Sequence, residues 1–249
     1  MLTRAHGVLK QGTHRSVADV LVVMDDACLT HTQSNRLLTH SFVRNLVLTS
    51  RTAGVLCDMY RTSDLERIDL SAYRLVVFGT NYALTSERLK KWHFRGDTTL
   101  MFVNGVGILG EDGRPSLSNV EALTGFLLEE AYDEALKCPI LHIKNEPGNL
   151  LASKNVNGRT HVLCTDPQMT PATFREIARE AGCHIYADAD CILFGDADFI
   201  SVFAKGETHT VLRLKDKKCC RDIRTGKVYE GTDIPINFEE NEFLILQYK

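Results

Sequence analysis

Short unbroken apolar runs alternate along the chain with segments in which apolar residues recur at helical spacing. "ADVLVVMDD" (18–26) is a run of strand length ending in two aspartates, and "VLCDMY" after Gly54, "YRLVVFGTN" (73–81) and "TTLMFVN" (98–104) repeat the pattern. Such runs suit strands covered on both faces, as in parallel sheets. Leu38, Phe42 and Leu46 fall at steps of four, with Val43 and Val47 beside them, which predicts a helix over about 34–50. "TSERLKKWHF" predicts a second helix, capped by Thr85 or Ser86. Ser118 and Glu121 have capping-box spacing, opening a short helix that ends near Gly125. Strands and helices alternating in this way imply βαβ units and a mainly parallel, doubly wound sheet.

Residues 129–168 are less regular, with "CPILHI" and "THVLCT" as strands around a turn-rich "NEPGN". The clearest helix follows in "TPATFREIAREAG": Thr170 caps it, Pro171 takes the first turn and Gly182 stops it. Phe174, Ile177, Ala178 and Ala181 form its apolar stripe. Beyond Gly182, "HIYA", "CILFG", "FISVFA", "HTVLRL", "KCCRDI", "KVYEG", "IPINF" and "EFLILQY" are short strands between turn signals. That punctuation predicts an antiparallel sheet or small sandwich. The expected division is a loose lead-in at 1–16, an α/β domain at 17–194 and a small antiparallel β-domain at 195–249.

Composition narrows the function classes. The chain has 249 residues, 44% apolar and 24% charged, as soluble globular proteins do. A net charge of −3 supplies no basic field, so nucleic acid is not an expected partner. No apolar run approaches the roughly 20 residues that span a bilayer, so no membrane is expected either. "MLTRAHGVLKQGTHRS" lacks the apolar core of a secretory leader. None of the eight cysteines forms a C-x-x-C pair, so no metal site is expected. Scattered thiols in runs such as "AGVLCDM" behave as small hydrophobes and favour a reducing, cytoplasmic setting. Cys219 and Cys220 are expected on opposite faces of one strand.

"TLMFVNGVGILGEDG" (99–113) places Gly105, Gly107 and Gly110 in a G-x-G-x-x-G directly after an apolar run. A dinucleotide fingerprint needs its glycines to open a helix and an acid at the next strand end. Here they run into the polar "EDGRPSLSN", so no nucleotide cofactor is expected. A nucleophile elbow also turns sharply after a strand. The apex at this corner offers Asn104, Gly105 or Val106, none of which attacks a carbonyl as Ser or Cys does.

The stretch "YRLVVFGTNYALTSERLKKWHFRGDTTLMFVNGVGIL" followed by "SLSNVEALTGF" resembles the class I glutamine-amidotransferase-like domain of family-42 glycoside hydrolases, the β-galactosidase trimerisation domain. "FREIAREAGCHIYADADCILFGDADFISVFA" and "RDIRTGKVYEG" resemble the link from that domain to a small C-terminal β-domain. The resemblance covers 17–249 and is spread over many weak positions. It implies a flavodoxin-like sheet that has lost amidotransferase chemistry, with Asn104, Gly105 and Gly107 as a degenerate elbow. No His-x-Glu is present to complete such a triad. In that family two carboxylates in a separate (β/α)8 barrel cut the glycosidic bond, and the strand-helix units here are too few for a barrel.

Other residues keep two readings. Asp25, Asp26, Asn81 and Asn104 sit at strand ends, where doubly wound sheets bind ligands. They equally suit caps and turn-backbone bonds. The paired aspartates could hold a divalent cation, but two adjacent carboxylates without further ligands are a weak signal for one. His31, His40 and His93 are isolated, and Trp92 beside Phe94 fits core packing, a sugar platform or a subunit contact. Asn145-Glu146-Pro147 follows an apolar run, as the general acid of many barrel glycosidases does. Retaining chemistry, however, needs a second carboxylate roughly 5 Å away, for which no strand end is left. The expected function is a non-catalytic module that pairs with itself or with a glycoside hydrolase subunit. The alternatives are a glycosidase using Glu146 and a carbohydrate-binding β-tail.

Overall fold

The computed structural model describes residues 13–25, 39–110, 112–134, 138–144, 148–204, 206–216 and 219–249. Asp26, Cys28, His31 and Glu146, together with residues 34–38 of the first expected helix, lie outside them. The chain groups into two compact units. One holds Val20–Val47 and Met59–Met169; the other holds the described residues up to Asp19, Leu48–Asp58 and Thr170–Lys249.

The strands of the first part are β1 (Val20–Met24), β2 (Cys57–Arg61), β3 (Leu75–Phe78), β4 (Thr99–Val103), β5 (Leu128–Asp133), β6 (Cys138–Ile143), β7 (Leu151–Val156) and β8 (Arg159–Cys164). Six form one sheet in the order β2-β1-β3-β4-β8-β7, and β5 and β6 form a separate ribbon. β1 pairs with β3, β3 with β4 and β4 with β8 in parallel, whereas β7 runs antiparallel to β8. Val20–Val23 and Leu75–Phe78 have no exposed surface, which is why their sequences are apolar without alternation.

A π-helical turn at Thr39–Arg44 leads into α1 (Asn45–Thr52), so the first expected helix is α-helical only in its last part. α2 (Ser86–Lys90) is capped by Thr85, whose hydroxyl accepts the Arg88 N–H at 3.2 Å. α3 (Leu117–Thr124) departs from the expected capping box. Its N-cap is Ser116, with no side-chain cap bond, and Ser118 Oγ bonds Ser116 Oγ at 2.7 Å. The Glu121 carboxylate instead accepts the Leu128 N–H at 2.9 Å, so a long-range partner replaces the local one. Gly125, at φ +82°, ends the helix as the spacing implies.

Two elements carry weak local signals. β5 exposes Glu129, Glu130 and Tyr132, and β7 exposes Ser153, Lys154 and Asn155, so neither has an apolar run. β7 and β8 are joined at Asn157-Gly158, with φ of +52° and +85°, an Asn-Gly hairpin turn legible in "NVNGRT".

In the second unit α4 (Pro171–Glu180) follows the sequence closely. The Thr170 hydroxyl accepts the Thr173 N–H at 3.1 Å, Phe174 and Ala178 are fully buried, and Gly182 turns at φ +75°. The remaining strands are β9 (Ile192–Gly195), β10 (Phe199–Phe203), β11 (Thr208–Arg213), β12 (Cys219–Asp222), β13 (Val228–Glu230), β14 (Asp233–Phe238) and β15 (Phe243–Tyr248). They form an antiparallel sheet β13-β12-β15-β10-β9 and a pair β11-β14. Cys220 is buried and Cys219 half-buried, as residues on opposite faces are. "HIYA" is not a strand. Its backbone is held instead by Gly54, whose carbonyl accepts the N–H groups of Tyr186 and Ala187 at 2.9 and 3.1 Å. The architecture is α/β with an antiparallel β-rich part.

Candidate functional site

The carboxyl ends of the parallel strands bring together Asp25 after β1, Thr80 and Asn81 after β3, Asn104 and Gly105 after β4, and Cys164 and Thr165 at the end of β8. Thr62 joins them from a 3-10 turn after β2. These polar side chains are engaged mostly by backbone groups. The Asn81 amide donates to Thr62 Oγ1 at 2.6 Å, and that hydroxyl donates to the Met24 carbonyl at 3.3 Å. The Thr80 hydroxyl accepts the Asp25 N–H at 2.8 Å. Asn104 Oδ1 accepts the Leu141 N–H at 3.0 Å, tying the corner after β4 to the β5–β6 ribbon. Asn81 is wholly buried, and its Oδ1 has no hydrogen-bond partner.

The glycine corner is equally self-contained. Gly105 and Gly107 turn at φ +85° and +77°, conformations that L side chains rarely take. A phosphate cradle needs several free backbone N–H groups. Here Asn104 donates to Cys164, Val106 to Val103, Gly107 to Asn81, Ile108 to Gly105, Leu109 to Tyr82 and Gly110 to Arg114, all onto carbonyls at 2.8–3.1 Å. The next helix, α3, begins only at Leu117. Donors bonded in this way cannot surround a pyrophosphate.

The elbow reading asks for a nucleophile at the same corner. The apex holds Asn104, Gly105 and the buried Val106. A thiol does lie at a strand end, Cys164, with its Sγ 3.8 Å from Met169 Sδ. Burial pushes that thiol up to about 12, so it stays protonated and non-nucleophilic at neutral pH. Burial raises Cys57, Cys191 and Cys220 as well. Among the described residues no cluster of three or more His, Cys, Asp or Glu side chains is placed to hold a metal ion.

Of the residues singled out in the sequence, Asp25, Asn81 and Asn104 share this edge, with Gly105 and Gly107 forming its corner. Asp26 and Glu146 lie outside the described residues. Trp92 is 8% exposed and stacks on Phe78, with ring centroids 5.9 Å apart. Sequence reading missed Thr62, Thr80 and Thr165. Single threonines in turns carry no signal until the sheet assembles around them.

Fold and site together define an α/β sheet unit and an antiparallel β-rich unit, with an asparagine-glycine corner where an elbow enzyme would carry its nucleophile. No family model matches the chain, and no curated protein does. Solved structures match it in fold. A GH42 β-galactosidase from G. stearothermophilus, in a catalytic-mutant form, superposes with a TM-score of 0.66 at 14% identity, covering 99% of this chain and 42% of that one. The β-galactosidase of Bacillus circulans sp. alkalophilus gives 0.66 at 14% identity, covering 95% and 42%. That of the Antarctic haloarchaeon Halorubrum lacusprofundi gives 0.62 at 13%, covering 98% and 42%. The chain therefore spans less than half the length of each of these enzymes.

Proposed function

We propose that this chain is a non-catalytic accessory module of a glycoside hydrolase, acting through association with itself or with a hydrolase subunit. The observation that supports it best is the corner after β4. Its side chains lack a nucleophile, and the amides of Asn104 and of residues 106–110 are bonded internally. The strand order 2-1-3-4 is that of flavodoxin-like doubly wound sheets, which agrees with a glutamine-amidotransferase-like ancestry. The β-galactosidase neighbours supply the hydrolase context. Light scattering on the purified chain, alone and mixed with a family-42 β-galactosidase, tests the reading. A defined oligomer or a stable complex is expected. A strict monomer that binds no hydrolase overturns it.

A further inference from the structure

A concavity lies away from the strand-end corner, and its lining has a consistent chemistry. It encloses about 440 Å3 between α2, α3 and the β7–β8 turn, and its lining includes Lys90, Trp92, Leu123, Val156, Arg159 and His161. No aspartate or glutamate lines it, although the chain as a whole carries a net charge of −3.

Arg159 is the unusual member. Its guanidinium lies 5.3 Å from the Phe94 ring centroid, and Nη2 donates to the Arg95 carbonyl at 3.1 Å. Its Nε is buried with no hydrogen-bond partner. Arg175, Arg179 and Arg213, by contrast, are each paired with a carboxylate. The buried Nε is closed to a ligand, and it is the outer N–H groups of the planar guanidinium fork, bordering the groove, that are suited to an oxyanion. Lys90 on α2 adds a second, exposed cation.

The other walls are also ordered. His161 Nδ1 lies 3.0 Å from the Thr124 carbonyl, which assigns its proton to Nδ1 and leaves Nε2 as an acceptor. The apolar wall of Trp92, Leu123 and Val156 provides a surface for carbon, and a few fixed polar groups beside such a wall are the usual make-up of a small-molecule site.

We propose that this groove binds a small organic oxyanion, a carboxylate or a phosphomonoester, with its charged end on Arg159 and Lys90 and its carbon body against Trp92. None of the groups invoked belongs to the corner after β4, so the groove stands on observations separate from those behind the accessory reading.

Trp92 is the only tryptophan in the chain and lines this groove, so its fluorescence responds to occupation there; it also borders a concavity at Leu65, Asp69 and Lys91, from which the Arg159 and Lys90 variants distinguish the groove. Glucuronate, glucose 6-phosphate and neutral galactose serve as probes, titrated at constant ionic strength. A saturable change with one or both anions and none with galactose is expected, and the stronger anion identifies the head group. Arg159→Gln should weaken that binding roughly tenfold or more, as loss of a charge-assisted contact does. Lys90→Gln, at an exposed position, should weaken it less without disturbing the fold. Arg114→Gln, whose side chain is 86% exposed and lies outside the groove, should bind as the parent does. Absence of saturable binding by both anions overturns the proposal, as does equal binding of galactose. If Arg159→Gln fails to fold, an unchanged affinity in Lys90→Gln overturns it.

Discussion

Asn104 Oδ1 accepts the backbone N–H of Leu141 across 3.0 Å, so the side chain at the corner after β4 is engaged in holding the β5–β6 ribbon. Both residues are buried. Asn104→Ala leaves the Leu141 N–H without its acceptor, and should destabilise the chain by about 1–3 kcal/mol. Urea denaturation checks this. A variant as stable as the parent would show that the bond contributes nothing.

Gly107 is required by both backbone and packing. An added Cβ would lie 2.5 Å from Leu123 Cδ2 and 3.1 Å from the Leu84 carbonyl, at φ +77°. Gly113 has φ +73° with nothing within 4 Å. Gly113→Ala should therefore cost only the left-handed strain, about 1–2 kcal/mol. Gly107→Ala adds overpacking and should cost about 1–3 kcal/mol more. Equal denaturation midpoints for the two variants would contradict the packing argument.

His161 makes stability depend on pH. Burial, opposed by the hydrogen bond to the Thr124 carbonyl and assisted by the nearby Arg159 and Lys154 charges, holds its folded value below the ordinary 6.5. Above 6.5 the ring is neutral in both states and nothing is lost. As pH falls through 6.5, the unfolded chain takes up the proton first, so its stabilisation grows at the expense of the fold. The melting temperature of the parent should fall between about pH 7 and pH 5, and His161→Gln should lessen that fall. Parallel pH profiles would remove His161 as the cause.

Under the proposed function the chain alone has no glycosidase chemistry. It should release no nitrophenol from 4-nitrophenyl β-galactoside, and Glu146→Gln should be indistinguishable from the parent. Turnover that disappears in Glu146→Gln would replace the accessory reading with a catalytic one.

Legibility in the sequence tracked how local each signal was. β1, β3 and β4 were readable because strands covered on both faces need apolar residues throughout, as in Val20–Val23. α4 was readable because its cap, first-turn proline and terminal glycine act within a few residues of one another. The β5–β6 ribbon and β7 were harder to see. Their half-solvated strands carry acids, lysine and serine, and only the Asn157-Gly158 turn announces a hairpin. The Ser118–Glu121 pair had capping-box spacing, yet the carboxylate turned to Leu128 once that strand was within reach.

The candidate site divides along the same line. The lack of a nucleophile at the corner and the run of glycines were properties of residue type, open to inspection before any folding. Which donors remain free at that corner, and that Arg159, His161 and Trp92 line one groove, depend on segments far apart in sequence. Amino-acid order sets which groups exist and which short elements they favour. Long-range packing decides which of those groups find partners, because a hydrogen bond exists only when its donor and acceptor are brought within about 3 Å.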